Sequence, residues 1–219
     1  MGQQERSIRT RRLIVEAAGA VFAEHGFDGA TISDVYTRVG LTKGAFYYYF
    51  ASKEELAAVV LDSQMAEVRY PIIPRPTKLQ ELVDSGMVFV HRLRHDPMLQ
   101  GSIRLSLEQG AHGLDQRKPF VGWFEHNRRG LMDAQRNGEL HPHVDLDDVA
   151  EMFVGSFSGI QLVSQVMTGR ADVERRISVL LQHLLPTIAL PGPLAKLDMT
   201  ESRGAQVLKE AAELGLTVS

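Results

Sequence analysis

The stretch TISDVYTRVGLTKGAFYYYF, residues 31–50, predicts two short helices joined by a tight turn. Thr31 is a favourable N-cap, and Asp34 stands three residues later, where the acidic member of a capping box belongs. Gly40 ends this helix, Leu41 fills the turn and Thr42 caps the second helix. The apolar face of the first helix is formed by Ile32, Val35 and Val39. This pattern is typical of a helix-turn-helix, whose second helix reads DNA.

The second helix of this pair is small and aromatic. Its first residues, Lys43, Gly44 and Ala45, are basic or small and allow close approach to a phosphate backbone. Phe46 and Phe50 are four residues apart and share the inward face. At least one hydroxyl of three consecutive tyrosines must face outward: Tyr47, Tyr48 and Tyr49. The alternative is a surface aromatic cluster of some other helical protein, in which these polar and aromatic positions have no common role.

The stretch TKGAFYYYFASKEEL, residues 42–56, resembles the recognition helix of the TetR family of bacterial transcriptional regulators. The resemblance implies an all-α protein that is not an enzyme. Residues 1–52 are then a three-helix DNA-binding domain, and residues 53–219 form a helical domain for ligand binding and dimerisation. In this hypothesis Lys43 and Tyr47 grip phosphates. The full set of predicted DNA contacts is Arg9, Thr31, Thr42, Lys43, Gly44, Ala45, Tyr47, Tyr48 and Lys53.

The composition excludes several kinds of protein. The 219 residues include no cysteine, so disulfides and thiolate metal sites are excluded. No apolar run approaches the roughly 18 residues that a membrane helix needs, and no hydrophobic stretch follows the arginine-rich N-terminus to make a signal peptide. We therefore expect a globular protein of the cytoplasm without membrane contact.

Charge is unevenly distributed along the chain. The formal net charge is −3, yet residues 1–53 hold 7 Lys or Arg against 5 Asp or Glu, while the remainder holds 17 against 22. Four arginines near the N-terminus could reach phosphates or a minor groove: Arg6, Arg9, Arg11 and Arg12. The alternative is a solvated, frayed N-terminus, because charged ends are common in proteins.

Apolar periodicity and helix breakers predict the remaining helices. The first is expected over residues 7–25, where Gly26 ends it and Phe27 folds back on its end. Ser52 and Glu55 form a capping box that opens a helix to about Arg69. Further helices are expected over residues 79–95, 99–109, 120–137, 147–168, 171–188 and 199–214, with a loop over 110–118. Three prolines are expected to end the bundle: Pro186, Pro191 and Pro193.

Two side chains in these helices are candidates for a ligand site. Gln64 follows Leu56 and Val60 at four-residue steps, which places an amide on the apolar face of its helix. This amide bonds either a neighbouring backbone group, as buried amides usually do, or a ligand. Trp123 is the single tryptophan and has two phenylalanines beside it. It is either ordinary core or part of a pocket.

The stretch HPHVDLDD, residues 141–148, has the composition of a metal site but not its spacing. Asp145 and Asp148 are explained as the N-cap and third residue of the next helix, and the proline between the histidines indicates a linker. We therefore expect no metal and no cofactor. A competing class is a small helical enzyme in which His141, His143 and Asp145 act in catalysis. No nucleophile with a paired base is visible, and this class leaves TKGAFYYYF without a role.

The helices expected over residues 147–168 and 171–188 are the most apolar pair in the chain. They carry more apolar surface than one core face needs, and Gly155 and Gly159 permit close helix approach. We expect them to form the symmetric four-helix interface of a homodimer. Such a dimer reads two half-sites, so its double-stranded DNA operator should be a pseudo-palindrome. The leucine stripe expected in this interface is Ile177, Leu180, Leu181, Leu184 and Leu185.

The resemblance extends to one branch of the family, the γ-butyrolactone receptors. It rests on residues 26–64, GFDGATISDVYTRVGLTKGAFYYYFASKEELAAVVLDSQ, on the tryptophan, and on FSGIQLVSQ at residues 157–165. The branch consists of repressors that sense small diffusible autoregulators, including furan and butenolide types, and control antibiotic gene clusters. The implied ligand contacts are Gln64, Trp123, Ser158 and Gln161, with Ser158 where threonine is commoner. The alternative is a pseudo-receptor that senses an antibiotic or another hydrophobic compound.

Overall fold

The computed structural model describes residues 2–67, 73–108 and 113–216. In chain order the helices are α1 (Gln3–Gly29), α2 (Ile32–Val39), α3 (Lys43–Tyr47), α4 (Lys53–Glu67), α5 (Lys78–His95), α6 (Pro97–Leu107), α7 (Arg117–Arg136), α8 (Leu146–Thr168), α9 (Val173–Ile188), α10 (Pro191–Leu194) and α11 (Arg203–Glu213). Within these ranges the chain has no strand, only an isolated bridge between Leu140 and Ala189. The predicted all-α fold class is confirmed.

The chain divides into two compact units. The first is Met1–Ala66 with His95–Pro119, and it holds α1 to α4 and α6. The second is Glu67–Arg94 with Phe120–Ser219, and it holds most of α5 and α7 together with α8 to α11. The predicted division into residues 1–52 and 53–219 separates DNA binding from ligand binding and dimerisation, not compact units, and it stays a prediction. Among the described helices, none is long and apolar enough to cross a membrane.

Glycines set the ends of the first two helices, as predicted. Gly26 has a φ of 73°, which interrupts the helical path near the end of α1. Phe27 then stacks on Phe22, with ring centroids 6.2 Å apart, and is buried. Gly40 ends α2 in the left-handed conformation, with a φ of 73°, and Leu41 packs against the core of this unit. Both positions need a positive φ, which glycine adopts without strain.

Two observed helix bounds differ from the predicted ones at a proline. α6 begins at Pro97 rather than residue 99, because Asp96 caps it and accepts the Met98 N–H at 2.9 Å. α7 begins at Arg117 rather than residue 120, because Pro119 falls in the first turn, where its missing N–H has no helical partner to lose. α9 ends at Ile188 as predicted, with Pro186 inside its last turn.

Other bounds differ by up to four residues, and α1 begins at Gln3 rather than residue 7. α9 begins at Val173 rather than residue 171, α11 spans Arg203–Glu213 within the predicted 199–214, and the one-turn α10 was not expected. Glu55 donates its N–H to Ser52 Oγ at 3.1 Å, as the predicted cap of α4 requires, and its carboxylate accepts the Ala51 N–H. The predicted ends at residues 69 and 109, and residues 110–112 of the predicted loop, lie outside the described residues.

In the first unit, α6 packs on α1 at a contact between glycine backbones. A Cβ atom on Gly101 would lie 2.0 Å from the carbonyl oxygen of Gly19, and a Cβ atom on Gly19 would lie 2.5 Å from Met98 Cα. Any larger side chain would therefore force the two helices apart. Polar contacts reinforce the packing, since Arg104 Nη1 donates to the Ala23 carbonyl at 2.9 Å and Glu108 accepts the Phe27 N–H at 2.7 Å.

In the second unit, a buried carboxylate fastens α11 to α5. Asp84 accepts two hydrogen bonds from Arg203, at 2.7 and 2.8 Å, one from Arg75 at 2.6 Å and one from Gln80 at 2.7 Å. This pairing satisfies a charge that burial would otherwise penalise heavily. Beside it, Gly204 lies so close to α5 that a Cβ atom would meet the Met87 carbonyl oxygen at 2.2 Å.

The leucine stripe of α9 lies inside the second unit. Ile177, Leu181 and Leu185 are buried in its hydrophobic core, together with residues of α5, α7 and α8. The expectation that Leu181 lies in a subunit interface is therefore wrong. Helical periodicity shows that a residue belongs to an apolar face, but it does not show whether that face meets its own core or a partner.

We expect Gly101→Ala to lower the free energy of unfolding by about 1–3 kcal/mol, because the added methyl group overlaps the α1 backbone. The matched control is Gly86→Ala in α5, where a Cβ atom meets nothing within 4 Å. That variant should be neutral or up to about 1 kcal/mol more stable, because alanine favours helix. Urea denaturation at one fixed protein concentration measures both, and equal stability of the two variants would contradict the packing described.

Candidate nucleic-acid interface and ligand site

α3 presents a basic and aromatic surface on a rigid base. Thr42 caps it by accepting the Ala45 N–H at 3.2 Å, as predicted. Phe46 and Phe50 are fully buried beneath it, with ring centroids 6.1 Å apart. The opposite side leaves Tyr47 45% exposed and Tyr48 79% exposed. Thr42, Lys43 and Gly44 are also exposed, while Ala45 is half-buried.

α2 supports this surface through a complete capping box. The backbone N–H and the hydroxyl of Thr31 both donate to Asp34 Oδ2, at 2.9 and 2.7 Å, and the Asp34 N–H donates to Thr31 Oγ1 at 3.2 Å. The hydrogen bonds from Thr31 hold the pKa of Asp34 below its usual range. The Thr31 hydroxyl takes part in the cap, yet the residue is exposed. Arg9, on α1, is also exposed.

Lys53 differs from the other predicted DNA contacts because its charge is used inside the first unit. Its Nζ donates to the carbonyl oxygens of Phe27 and Ala30, at 2.8 and 3.2 Å, and lies 4.4 Å from the centre of the Phe27 ring. These contacts satisfy two carbonyl groups at the C-terminal end of α1, where a cation is electrostatically favoured. Lys53 therefore holds the turn before α2.

Trp123 belongs to an aromatic cluster of the second unit. Its ring meets Phe89 of α5 edge-on with centroids 4.4 Å apart, and Phe89 also contacts Phe157 of α8 at 5.5 Å. Trp123 is only half-buried, although its neighbour Phe89 is buried. A large aromatic ring that is incompletely covered inside a helical unit is suited to contact a small apolar molecule.

α5 and α7 run antiparallel beside this cluster. Along α5 the contacts to α7 pass from Leu82, which lies against Gly130, to Ser85 and then to Phe89. Ser85 Oγ lies 2.9 Å from His126 Nε2, one turn of α7 from Trp123. Burial, helped by the positive charge of Arg129, lowers the pKa of His126 to about 4. The imidazole is therefore neutral at neutral pH.

Sequence reasoning missed Ser85 and His126. Ser85 and Phe89 are four residues apart on α5, and Trp123 and His126 are three apart on α7, so each pair shares a helix face. This spacing could have predicted that each pair lies on one helix face. Only the packing of α5 on α7 shows that the two faces are in contact.

The three predicted ligand contacts of α4 and α8 are polar residues that differ in burial and in hydrogen bonding. Gln161 is buried, and its Oε1 has no hydrogen-bond partner in the described part of the chain. Ser158 is half-buried and donates to the Val154 carbonyl at 2.8 Å. Gln64 is buried in the first unit, and within the described residues its Nε2 has no partner. A buried amide atom without a partner is unfavourable unless another molecule satisfies it.

The histidine pair of the linker is separate from this cluster in sequence and in its contacts. The rings of His141 and His143 stack with centroids 5.5 Å apart. Asp145 caps α8 by accepting the N–H groups of Asp147 and Asp148, at 2.9 and 3.1 Å, as predicted. In the ranges that the structure describes, three histidine or acidic side chains nowhere converge on a position suited to a metal ion.

One side of α8 carries exposed apolar residues at helical spacing. Val166 is 74% exposed and Leu162 51% exposed, and the same stripe contains the exposed Gly155 and Gly159. A glycine-lined apolar stripe lets a second helix approach closely. The remaining exposed apolar residues on α8 and α9 are Met152, Val163, Met167 and Val179.

Comparison with known proteins relates both parts of the chain to transcriptional regulators. Residues 14–60 match the family model described as bacterial regulatory proteins, tetR family. Residues 77–189, more than half of the chain, match the model described as tetracyclin repressor-like, C-terminal domain. The predicted family resemblance is confirmed by these two matches.

Individual relatives agree with the family models. The chain is 40% identical over 195 residues to the A-factor receptor protein of Streptomyces griseus, a match that covers 89% of this chain and 69% of that protein. The crystal structure of full-length native TylP, a TetR regulator from Streptomyces fradiae, is 42% identical with a TM-score of 0.86, covering 94% of this chain and 99% of that one. A γ-butyrolactone receptor, an ArpA-like protein, is 25% identical with a TM-score of 0.68, covering 94% and 98%.

Proposed function

Because this chain belongs to the tetR family of bacterial regulatory proteins, we propose that it is a DNA-binding repressor released from its operator by a small diffusible autoregulator. The proposed ligand is of the γ-butyrolactone, furan or butenolide type, and the proposed targets are antibiotic or secondary-metabolite genes. The names of two relatives, an A-factor receptor and a γ-butyrolactone receptor, support the ligand class. The relatives are regulators, so the prediction that the chain is not an enzyme is confirmed.

The surface of α3 is the observation that carries DNA binding. Lys43, Tyr47 and Tyr48 are exposed together, while two buried phenylalanines hold the helix in place. A cation and two phenol hydroxyls on a fixed helix suit phosphate contacts, which position a protein on DNA. Thr42, Gly44 and Ala45 are then the residues near base edges or backbone, with Thr31 and Arg9 as outer contacts. Lys53 supports the interface by holding the turn before α2.

The aromatic cluster of the second unit supports a ligand site. Trp123, Phe89 and Phe157 offer apolar surface, and Gln161 adds a buried amide oxygen that no described residue bonds. A lactone with an acyl chain has both an apolar tail and hydrogen-bonding oxygens. Ser158 lies next to Phe157 on α8 and stays a predicted contact. Gln64 also stays a predicted contact, because its Nε2 is a buried donor that needs an acceptor.

A homodimer is typical of the family, and the exposed stripe of α8 is the surface that we assign to it. Its apolar residues would be covered by the same stripe of a second copy, and the glycines allow the two α8 helices to approach. Two α3 helices related by a two-fold axis then read half-sites about 34–36 Å apart or a multiple of this distance. The operator is therefore expected to be a pseudo-palindrome. We expect the protein to act in the cytoplasm, where the DNA is.

The DNA interface is tested by Lys43→Ala. Loss of one phosphate contact should weaken binding to operator and scrambled duplexes about equally and reduce the slope of log affinity against log salt by about one unit. Lys209→Ala is the control, because Lys209 is an exposed lysine of α11 with its side chain 80% exposed. Fluorescence anisotropy at several salt concentrations measures both. An unchanged slope for Lys43→Ala would remove this lysine from the interface.

The ligand site is tested by the emission of Trp123, the only tryptophan. A γ-butyrolactone with a short acyl chain should change its fluorescence with saturable dose dependence. Gln161→Ala should raise the lactone concentration for half of the change about 3- to 10-fold, the effect of one lost hydrogen bond. Gln206→Ala, an exposed glutamine of α11, should leave it unaltered. If saturating lactone changes neither the emission nor the melting temperature, the ligand class is wrong.

The dimer surface is tested by Leu162→Glu, which would bury an unpaired carboxylate in the proposed interface. We expect monomers by sedimentation velocity and weak operator binding, because a single helix-turn-helix makes few contacts. Val121→Glu on α7 is the control, since Val121 is 49% exposed and lies off the stripe. A Leu162→Glu protein that remains dimeric would place the interface elsewhere.

A further inference from the structure

Ser85 and His126 form a side-chain pair that the proposed function leaves without a role. Ser85 Oγ lies 2.9 Å from His126 Nε2, and the imidazole meets the Trp123 ring edge-on with centroids 5.6 Å apart. Within the described residues no other hydrogen bond reaches the His126 ring, so its second nitrogen, Nδ1, is available. A polar pair therefore stands at the edge of the aromatic cluster, with one nitrogen still able to bond another molecule.

We propose that His126 hydrogen-bonds the headgroup of the bound autoregulator through Nδ1, that Ser85 positions the ring, and that the pair favours an uncharged headgroup over a carboxylate. The proposal rests on the proposed function, since it concerns the molecule that contacts Trp123. In this arrangement His126 is a binding residue and Ser85 is a positioning residue.

The geometry of α5 and α7 brings polar and apolar groups to one place. Phe89 and Ser85 are separated by one turn of α5, and Trp123 and His126 by one turn of α7, so the aromatic pair and the polar pair are neighbours along the same helix contact. A bound molecule that lays its alkyl chain against the aromatic rings would bring its headgroup within reach of His126. This is the arrangement that an amphiphilic small molecule requires.

The charge state of His126 decides which headgroup it suits. Burial lowers the pKa of His126 to about 4, with a further contribution from Arg129, so the ring carries no charge at neutral pH. The Arg129 guanidinium bonds Glu125 at 3.3 Å, and both side chains are largely exposed. A neutral imidazole offers hydrogen bonds but no countercharge, and a carboxylate moved out of water needs a countercharge.

The hydrogen bond with Ser85 lets His126 bind either a carbonyl or a hydroxyl oxygen. A serine hydroxyl both donates and accepts, so Nε2 can be either the acceptor or the N–H donor in the bond between them. Nδ1 then presents the complementary group, an N–H towards a lactone carbonyl or a lone pair towards a hydroxyl. The pair therefore accommodates an uncharged headgroup that carries either oxygen.

Gln161 points to the same headgroup chemistry. Its Oε1 is a buried acceptor without a partner in the described part of the chain, and Gln161 lies one turn along α8 from Phe157, which contacts Phe89. An acceptor oxygen attracts a hydroxyl donor and repels a carboxylate. Two independent polar groups around the aromatic cluster thus favour a neutral molecule.

The test compares a γ-butyrolactone carrying an acyl chain with a furan carboxylic acid carrying an alkyl chain of equal length. Full-length protein is titrated with each while Trp123 emission and operator binding are followed. Wild type should respond to the lactone at a concentration at least tenfold lower than to the acid. His126→Leu should raise the half-effective lactone concentration about 3- to 10-fold and leave that of the acid nearly unchanged.

Further variants separate binding from folding. Ser85→Ala should produce a smaller loss, and His126→Gln, which keeps a neutral donor and acceptor, should recover part of the lactone response. His143→Leu changes an exposed histidine of the linker and is the control. The ¹⁵N shifts of the His126 ring should change with lactone in wild type, a signature that a purely structural histidine would not show.

Two results would overturn this proposal alone: equal lactone sensitivity of wild type and folded His126→Leu, or a wild-type preference for the carboxylic acid. A wild-type protein that responds to neither compound overturns the proposed function and this proposal with it.

Discussion

The contact between Gly19 and Gly101 is the constraint on which the first unit depends. It brings the backbones of α1 and α6 together at a distance that no side chain larger than hydrogen permits. Three side chains then hold the C-terminal end of α1. Arg104 of α6 bonds a carbonyl, Glu108 at the end of α6 bonds an N–H, and Lys53 of α4 bonds the carbonyls of the turn. The turn leads directly into α2, so the placement of α2 and α3 rests on this packing.

Because of this packing, α6 belongs to the same unit as α3, although it lies in the middle of the chain. α6 follows α5 after a single capping residue, Asp96, and α5 carries Ser85 and Phe89. The helix that packs on α1 is therefore covalently continuous with one that carries part of the aromatic cluster. A ligand can use such a connection only if it binds two conformations unequally, and a shift from 1:99 to 99:1 requires about 5.5 kcal/mol of such a difference.

The sequence was most informative where the determining signal is local. Thr31 with Asp34, Gly26 and Gly40 act within a few residues of themselves, and the structure shows each in its predicted role. The helix starts near Pro97 and Pro119 were predicted too late, because a proline in the first turn lacks an N–H that would have had no helical partner. Both errors concern bounds, not the presence of a helix.

Features that depend on tertiary packing could not be read from the chain. The stripe that contains Leu181 has the spacing of an interface and of a core alike, and only the structure shows that it is core. The hydrogen bond between Ser85 and His126 joins residues 41 positions apart, and so does not appear in any local pattern. The exposed stripe of α8 likewise becomes visible only when the buried face has been assigned.

In the proposed function one protein binds both an operator and a lactone, and each ligand weakens the binding of the other. The most direct measurement is the anisotropy of a labelled operator duplex bound by the full-length protein while a γ-butyrolactone is added, with Trp123 emission recorded in the same samples. We expect release of the duplex over the same lactone concentrations that change the emission. Retention of the duplex by protein whose Trp123 signal shows saturation would contradict it.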